Sequence, residues 1–395
     1  MNISDLAKNV PQSMTMAITA KAKQMKADGL SVIGFAAGEP DFDTPDFVKD
    51  AAKKALDEGR TKYTPVPGIN ELKKAVCEKL KSKNGLDYST DEVIVSSGAK
   101  NSLYFAMLAV LNAGDEVIIP SPYWLTYPEL VKLCGAKPVF VDTKKTGYTL
   151  TADLFRSAVT KKTKMLVLNT PCNPTGKVYS EGELKDIAKI AVEKDICVLS
   201  DEVYENLVYG GKKHVSIASL GEDIKKNTIL VNGMSKSYAM TGWRVGYAAA
   251  DRQIIKAMTS LQSHAAGNTC SVAQYASVAA LNGGDEFLSV EKSAFEKRKT
   301  LAVTLAKKLP QVNFTEPEGA FYIMLDVSAY YGKKYGNKPV IGSISFAEAL
   351  LDEGVAVIPC LPFGDDNSIR ISYAVSEEDV KAGFSRIENF LKKLC

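Results

Sequence analysis

Between residues 92 and 250 the sequence repeats one pattern: a short run rich in Val, Ile and Leu, a turn, an amphipathic stretch, then another short run. The runs are EVIVSS (92–97), EVIIP (116–120), KPVFVD (137–142), KMLVLN (164–169), ICVLSDE (196–202), TILVN (228–232) and VGYAAA (245–250). Most are apolar nearly throughout rather than alternating, as strands must be when helices cover both faces of their sheet. Helical patterns at 99–111, 124–134 and 181–194 fill intervals between them. The order predicts an α/β unit built on a mostly parallel, seven-stranded sheet.

The last third reads differently. A long helix at about 285–308 leads to three more strands, FYIMLD (321–326), GVAVIP (354–359) and SIRISY (368–373). A closing helix starts at the capping sequence Ser376–Asp379 and aligns Val380, Phe384, Ile387 and Leu391 on one face. This predicts a smaller α+β unit. The segment before Pro45 has no strong helix–strand alternation and is expected to pack on that unit or on a neighbouring subunit.

Composition removes several function classes. Lys and Arg number 49 against 46 Asp and Glu, a formal charge of +3 that is too small and too scattered for a nucleic-acid surface. The N-terminus MNISDLAKNV lacks the basic and apolar regions of a signal peptide, and no apolar run is long enough to span a bilayer. Seven widely spaced cysteines without a C-x-x-C pair read as free thiols of a reducing, cytoplasmic compartment. Only two histidines occur, His214 and His264, and neither has metal-site spacing. No metal is expected, and acid–base chemistry falls to lysine, tyrosine or a carboxylate.

Five places carry chemistry. In VNGMSKSYAMTGWRVGY, Lys236 follows a strand among small neighbours and Arg244 comes eight residues later. A solvated surface lysine has the same local look, but a buried one beside a second cation is a nucleophile for carbonyls. In SSGAKNSLYFAML, Gly98 ends a strand and a helix opens at Ala99, which is either an ordinary turn or a phosphate seat. Asp201 closes a buried run in LSDEVYENLVY. It is either a helix N-cap or a ligand-facing acid at the carboxyl end of a parallel strand, with Tyr204 as a nearby donor. Asn173 sits in the turn NTPCNPTGKVY, free to orient a ligand oxygen or only to shape the loop. Arg370, on the opposite face of its strand from Ile369 and Ile371, needs a carboxylate from the protein or from a substrate.

Taken in order, NPTG, SDEVY, SKSYAMTGWRVG and IRISYA resemble the class I aminotransferases, fold-type I enzymes that use pyridoxal 5′-phosphate. AAGEPDFDTP (36–45), TKYTPVPGI (61–69) and SPYW (121–124) extend the resemblance over nearly the whole chain. It implies that Lys236 binds the cofactor's aldehyde and shuttles the substrate's Cα proton. Asp201 would pair with the pyridinium nitrogen, Asn173 and Tyr204 with the phenolic oxygen, and Trp124 would stack on the ring. The phosphate would rest on the helix opening at Gly98, Ala99 and Lys100, with Ser235 and Arg244 of the same chain, and with Tyr63 reaching in from a second subunit. Arg370 would hold the substrate α-carboxylate, helped by Trp124, Asn173 and Gly38. On this reading residues 1–12 form an arm, 13–45 with 287–395 the small domain, and 46–286 the large one.

The chain departs from the animal-type members. Gly233 replaces a hydroxyl residue that supports the phosphate there, and LQSHAAGNTC offers no intersubunit arginine for a distal carboxylate. The prokaryotic branch of aspartate aminotransferases uses a lysine at the phosphate helix and N-terminal hydroxyl residues instead. Lys100, Ser13 and Thr15 match that pattern. The implied reaction passes the amino group of aspartate to 2-oxoglutarate in a homodimer with shared sites, and some members of this branch also accept prephenate. A broad or aromatic aminotransferase, a C–S lyase of the same fold and a non-catalytic regulator are the alternatives. The regulator is disfavoured by Lys236 and by the mere 45 residues ahead of the large unit. His264, in the segment facing the partner's site by family analogy, would touch substrate or simply fill space.

Overall fold

The computed structural model describes residues 2–8, 10–11 and 14–395, apart from the side chains of residues 6 and 14–16. Its centre is a seven-stranded sheet. The strands lie in the order Val93–Ser96, Gly246–Ala249, Thr228–Gly233, Cys197–Asp201, Thr163–Asn169, Glu116–Ser121 and Lys137–Asp142. All run parallel except Gly246–Ala249, which is antiparallel to both neighbours. Apart from the edge strand Lys137–Asp142, which is largely exposed, the apolar runs are buried on both sides because successive side chains enter opposite layers. Val117, Ile119, Val167, Ile229 and Val231 meet the helices Ala99–Val110 and Arg252–Ala265. Ile118, Leu166, Leu168 and Val198 meet the helix Glu181–Glu193. Val93, Val95 and Leu230 meet the helices Asp46–Asp57, Asn70–Asn84 and Ser271–Gly283.

A second, three-stranded antiparallel sheet orders Ile358–Pro359, Ser368–Ser372 and Tyr322–Asp326. The helices Asp285–Ala306, Ser343–Asp352 and Glu377–Lys393 close over it around Phe295, Phe346, Phe384 and Phe390. One sequence expectation needs correction here. The run at 354–359 is two strands: Val355–Ala356 pairs with Ile33–Gly34, and Ile358–Pro359 pairs with Ser368–Ser372. An unbroken apolar run cannot reveal where the chain changes partner. The segment before Pro45 also holds a helix, Met14–Ala27. Of its described side chains only Ala22 is buried, so no apolar stripe announced it. Among the described residues no helix is long and apolar enough to cross a membrane. All seven cysteines are free.

Glu291, on the helix Asp285–Ala306, is fully buried, and neither carboxylate oxygen has a hydrogen-bond partner. Burial, then Asp41, pushes its carboxyl up to about 9. The folded chain therefore keeps this proton across a window in which the unfolded chain has already released it. Stability from this group is complete below about pH 4.5 and falls as pH rises towards 9, by at most about 1.4 kcal/mol per unit. Glu291→Gln is expected to raise Tm at pH 8–9, with little gain at pH 5. A gain independent of pH in thermal melts would contradict the buried proton.

Candidate active site

Parallel strands end along one edge of a sheet, and their carboxyl ends face the crevice where such sheets bind ligands. Here Asn169 and Asp201, the last residues of adjacent strands, are register partners. The next strand ends at Gly233 and leads into the short helical turn Met234–Ser237, which carries Lys236. The reversed strand Gly246–Ala249 begins at the same edge, so Arg244, just before it, arrives there too. Val93–Ser96 delivers the helix Ala99–Val110 to this edge through Gly98, whose φ of 85° lies in the left-handed region.

These elements enclose a cavity of about 540 Å³. Of the residues singled out from sequence, Lys236, Asp201, Tyr204, Asn173, Trp124, Arg244, Ser235, Ala99, Lys100, Arg370 and Gly38 all line it. Gly98 does not. It stands behind Arg244, where a β-carbon would lie 2.3 Å from Arg244 Nη2. Tyr63 is 98% exposed and away from the cavity of its own chain. Ser13 and the side chain of Thr15 lie outside the described residues. His264 is exposed at the end of its helix, so it fills no space within this chain.

Lys236 is half-buried as a residue, with its amine turned inward to donate to the Gly38 carbonyl at 2.5 Å. Burial lowers it to about 8, with Arg370 and Arg244 acting the same way against Glu39 and Asp201. The surface-lysine alternative is thereby excluded. Asp201 is 3% exposed; Tyr127 donates to its Oδ2 at 2.7 Å, and burial raises its carboxyl to about 6 against that bond. Residues 203–206 form a turn rather than a helix, so Asp201 is not an N-cap. A cation placed against it would restore full ionisation.

Arg370 lies 3% exposed, its guanidinium 4.3 Å above the Tyr322 ring. Nη1 donates to Asn173 Oδ1 at 2.9 Å and Nη2 to the Ala36 carbonyl at 3.2 Å, while Nε has no partner. The Tyr204 and Tyr322 hydroxyls are hydrogen-bonded at 2.9 Å. Lys100 stands 5.1 Å over the Trp124 ring, and burial followed by Arg244 lowers its amine. Gly246 and Gly233 bring the walls together. A β-carbon at Gly246 would fall 2.2 Å from the Ala99 nitrogen, and one at Gly233 2.9 Å from the Val245 carbonyl. The hydroxyl residue absent at Gly233 has no room without backbone movement.

Five cations line the cavity: Lys23, Lys100, Lys236, Arg244 and Arg370. None is ion-paired among the described residues. The two acids, Asp201 and Glu39, accept hydrogen bonds from Tyr127 and Thr241. Sequence reading missed Tyr127, Tyr322, Asn169, Lys23 and Glu39. Asn169 could have been found by aligning it with Asp201 at the strand ends. The others look locally like core aromatics or surface charges.

The family model for aminotransferase class I and II matches residues 31–387. The chain belongs to that family. It is an enzyme, an aminotransferase that works with pyridoxal phosphate. A protein named aspartate aminotransferase from Bacillus sp. (strain YM-2) is 47% identical, covering 99% of each chain. One named probable aspartate/prephenate aminotransferase from Aquifex aeolicus is 46% identical, over 97% of this chain and 96% of its own. The structure of the Thermus thermophilus aspartate aminotransferase with maleate superposes with a TM-score of 0.93 at 38% identity, covering 99% of this chain and 100% of its own. As an aminotransferase cavity the donor set fits the cofactor. It offers a buried amine of lowered basicity for an aldehyde, a buried acid for a ring nitrogen, and a helix start with Arg244 for a phosphate.

Proposed function

We propose that this aminotransferase passes the amino group of L-aspartate to 2-oxoglutarate, donor and acceptor using one site in turn. The charge of the cavity carries this reading: five cations without ion-pair partners among the described residues, against two acids. A phosphate brings nearly two negative charges, and a dicarboxylate brings two more. The relatives named for aspartate, and the Thermus protein solved with a dicarboxylate, support it. Prephenate, also a dicarboxylate, is the second acceptor to try, given the name of the Aquifex relative.

Bound pyridoxal phosphate supplies an aldehyde and a protonated ring that draws electrons from the substrate's Cα. Lys236 holds the aldehyde and, once free, takes the Cα proton on Nζ; a value near 8 leaves enough free amine to do so. Asp201 keeps the ring nitrogen charged, and Tyr204 and Asn173 hold the phenolic oxygen. Trp124 stacks on the ring. Ser235, Arg244 and the Ala99 and Lys100 N–H groups seat the phosphate. Arg370 fixes the α-carboxylate with two parallel donors, and the N-terminal helix, through Thr19, Ala20 and Lys23, narrows the mouth against water. We divide the chain into an arm (1–12), a small domain (13–45 with 287–395) and a large domain (46–286). A second copy completes the site, with its Tyr63 reaching the phosphate; the 98% exposure of Tyr63 in one chain supports this homodimer. We place the enzyme in the cytoplasm.

Lys100 supplies the contact to the side-chain carboxylate. Such a charge-assisted bond is worth about 1.5–3 kcal/mol. Lys100→Ala is therefore expected to cut the ratio of kcat/KM for aspartate over phenylalanine by about one to two decades. An unchanged ratio removes the dicarboxylate assignment and leaves the broad or aromatic reading. Ammonia release without an oxo-acid acceptor would instead identify a lyase.

A further inference from the structure

We propose that Glu205 and Asn206 are positioning residues for Lys236, bracketing its turn from both ends through Asn232 and Ser237. The turn Met234–Ser237 is only four residues long, too short to hold its shape unaided. Besides the Met234 N–H donated to the Val245 carbonyl, side-chain supports at its two ends come from one neighbouring segment. After Asp201 the chain presents Tyr204 to the cavity, and then Glu205 and Asn206 reach to the two ends of the lysine turn.

At the leading end, Asn232 Nδ2 donates to Glu205 Oε1 at 2.8 Å. That bond fixes the Asn232 amide so that its Oδ1 accepts the Gly233 N–H at 2.7 Å. Glu205 is itself held by Asn84 Nδ2 at 2.8 Å and by the Lys79 amine. Burial raises its carboxyl, but Lys79, His214 and Asn84 outweigh burial and leave it below the ordinary value. At the trailing end, Asn206 Nδ2 donates to Ser237 Oγ at 2.8 Å. The segment Asp201–Asn206 thus carries the acid and one tyrosine of the site, and it also sets where the lysine stands. This matters because misplacing a reacting group by about 1 Å can cost about a hundredfold in rate.

The inference rests on Lys236 carrying the chemistry, and its test separates the two. Asn206→Ala removes a single, half-buried donor, and Ser237→Ala removes its acceptor. In the holoenzyme two readouts apply besides turnover. One is amide hydrogen exchange in the peptide spanning residues 232–238. The other is the pH midpoint of the visible absorbance, which senses the Lys236 nitrogen together with the groups that face it, Glu39, Asp201, Arg244 and Arg370. Asn206→Ala is expected to speed exchange there by about tenfold, the worth of one neutral hydrogen bond. It should also move the midpoint by about half a unit and lower kcat several-fold with KM little changed. The double variant should match either single one, because both remove one bond. Glu205→Gln, which keeps an acceptor for Asn232, should preserve more of kcat than Glu205→Leu.

Exchange and midpoint that stay at wild-type values in Asn206→Ala, or effects of Asn206→Ala and Ser237→Ala that add in full, would overturn the bracket. Borohydride reduction of the wild-type holoenzyme that leaves Lys236 unlabelled overturns instead the assignment of Lys236, while exchange still reads the bracket.

Discussion

Lys236→Ala is expected to lose about four orders of magnitude in kcat, the upper range for removing a positioned base, while still folding. The reason is that the Lys236 amine is the group held in place for the proton, and the hydroxyls and the buried acid beside it are poor substitutes. Burial keeps the Tyr204 and Tyr322 hydroxyls above their ordinary values, so they stay protonated at neutral pH. Asp201 accepts from Tyr127. Lys100 is placed over the Trp124 ring, whereas the Lys236 amine is held at the Gly38 carbonyl. A small exogenous amine should restore part of the rate by entering the space left behind. Single-turnover kinetics with and without methylamine checks both points. Activity within tenfold of wild type would mean that another group is the base.

The second large effect is expected at Arg370. Arg370→Leu should lower kcat/KM for aspartate by about 3–5 kcal/mol, two to four decades, with the cofactor's visible spectrum little altered. The guanidinium is 3% exposed and held by Asn173, the Ala36 carbonyl and the Tyr322 face, so its orientation is set before substrate arrives. Arg370→Lys should recover little, because an ammonium cannot present two parallel donors. The loss should appear for aspartate and phenylalanine alike, since both carry an α-carboxylate. Its contrast with Lys100→Ala, whose loss is confined to the dicarboxylate, separates the two anion contacts.

The central sheet was legible because its strands are covered on both faces and so write unbroken apolar runs. The chemistry at their carboxyl ends was legible for a related reason. Asp201 after ICVLS and Lys236 after TILVN are polar groups placed where a buried strand stops. What stayed hidden depends on pairing between distant positions. Tyr127 meets Asp201 across 74 residues and Tyr204 meets Tyr322 across 118. Neither Tyr127 nor Tyr322 differs locally from a tyrosine that fills a core. The buried ion pair of Lys79 with Glu205, 126 residues apart, had no local mark either. The N-terminal helix was missed because its surroundings, not an apolar stripe, hold it in place.

The contacts at Gly98, Gly233 and Gly246 have a further meaning for how such a protein can diverge. Where Gly233 and Gly246 meet Val245 and Ala99, the shape is dictated by main chain and an added carbon collides with it, while at Gly98 it would strike the Arg244 guanidinium. The side chains of Thr19, Ala20, Lys23 and Lys100, carried on helices, line the same cavity without such a constraint from the main chain. Part of the lining is therefore locked against mutation and part is open to it. Lineages can retune which amino acid is accepted without ever touching the seat of the vitamin.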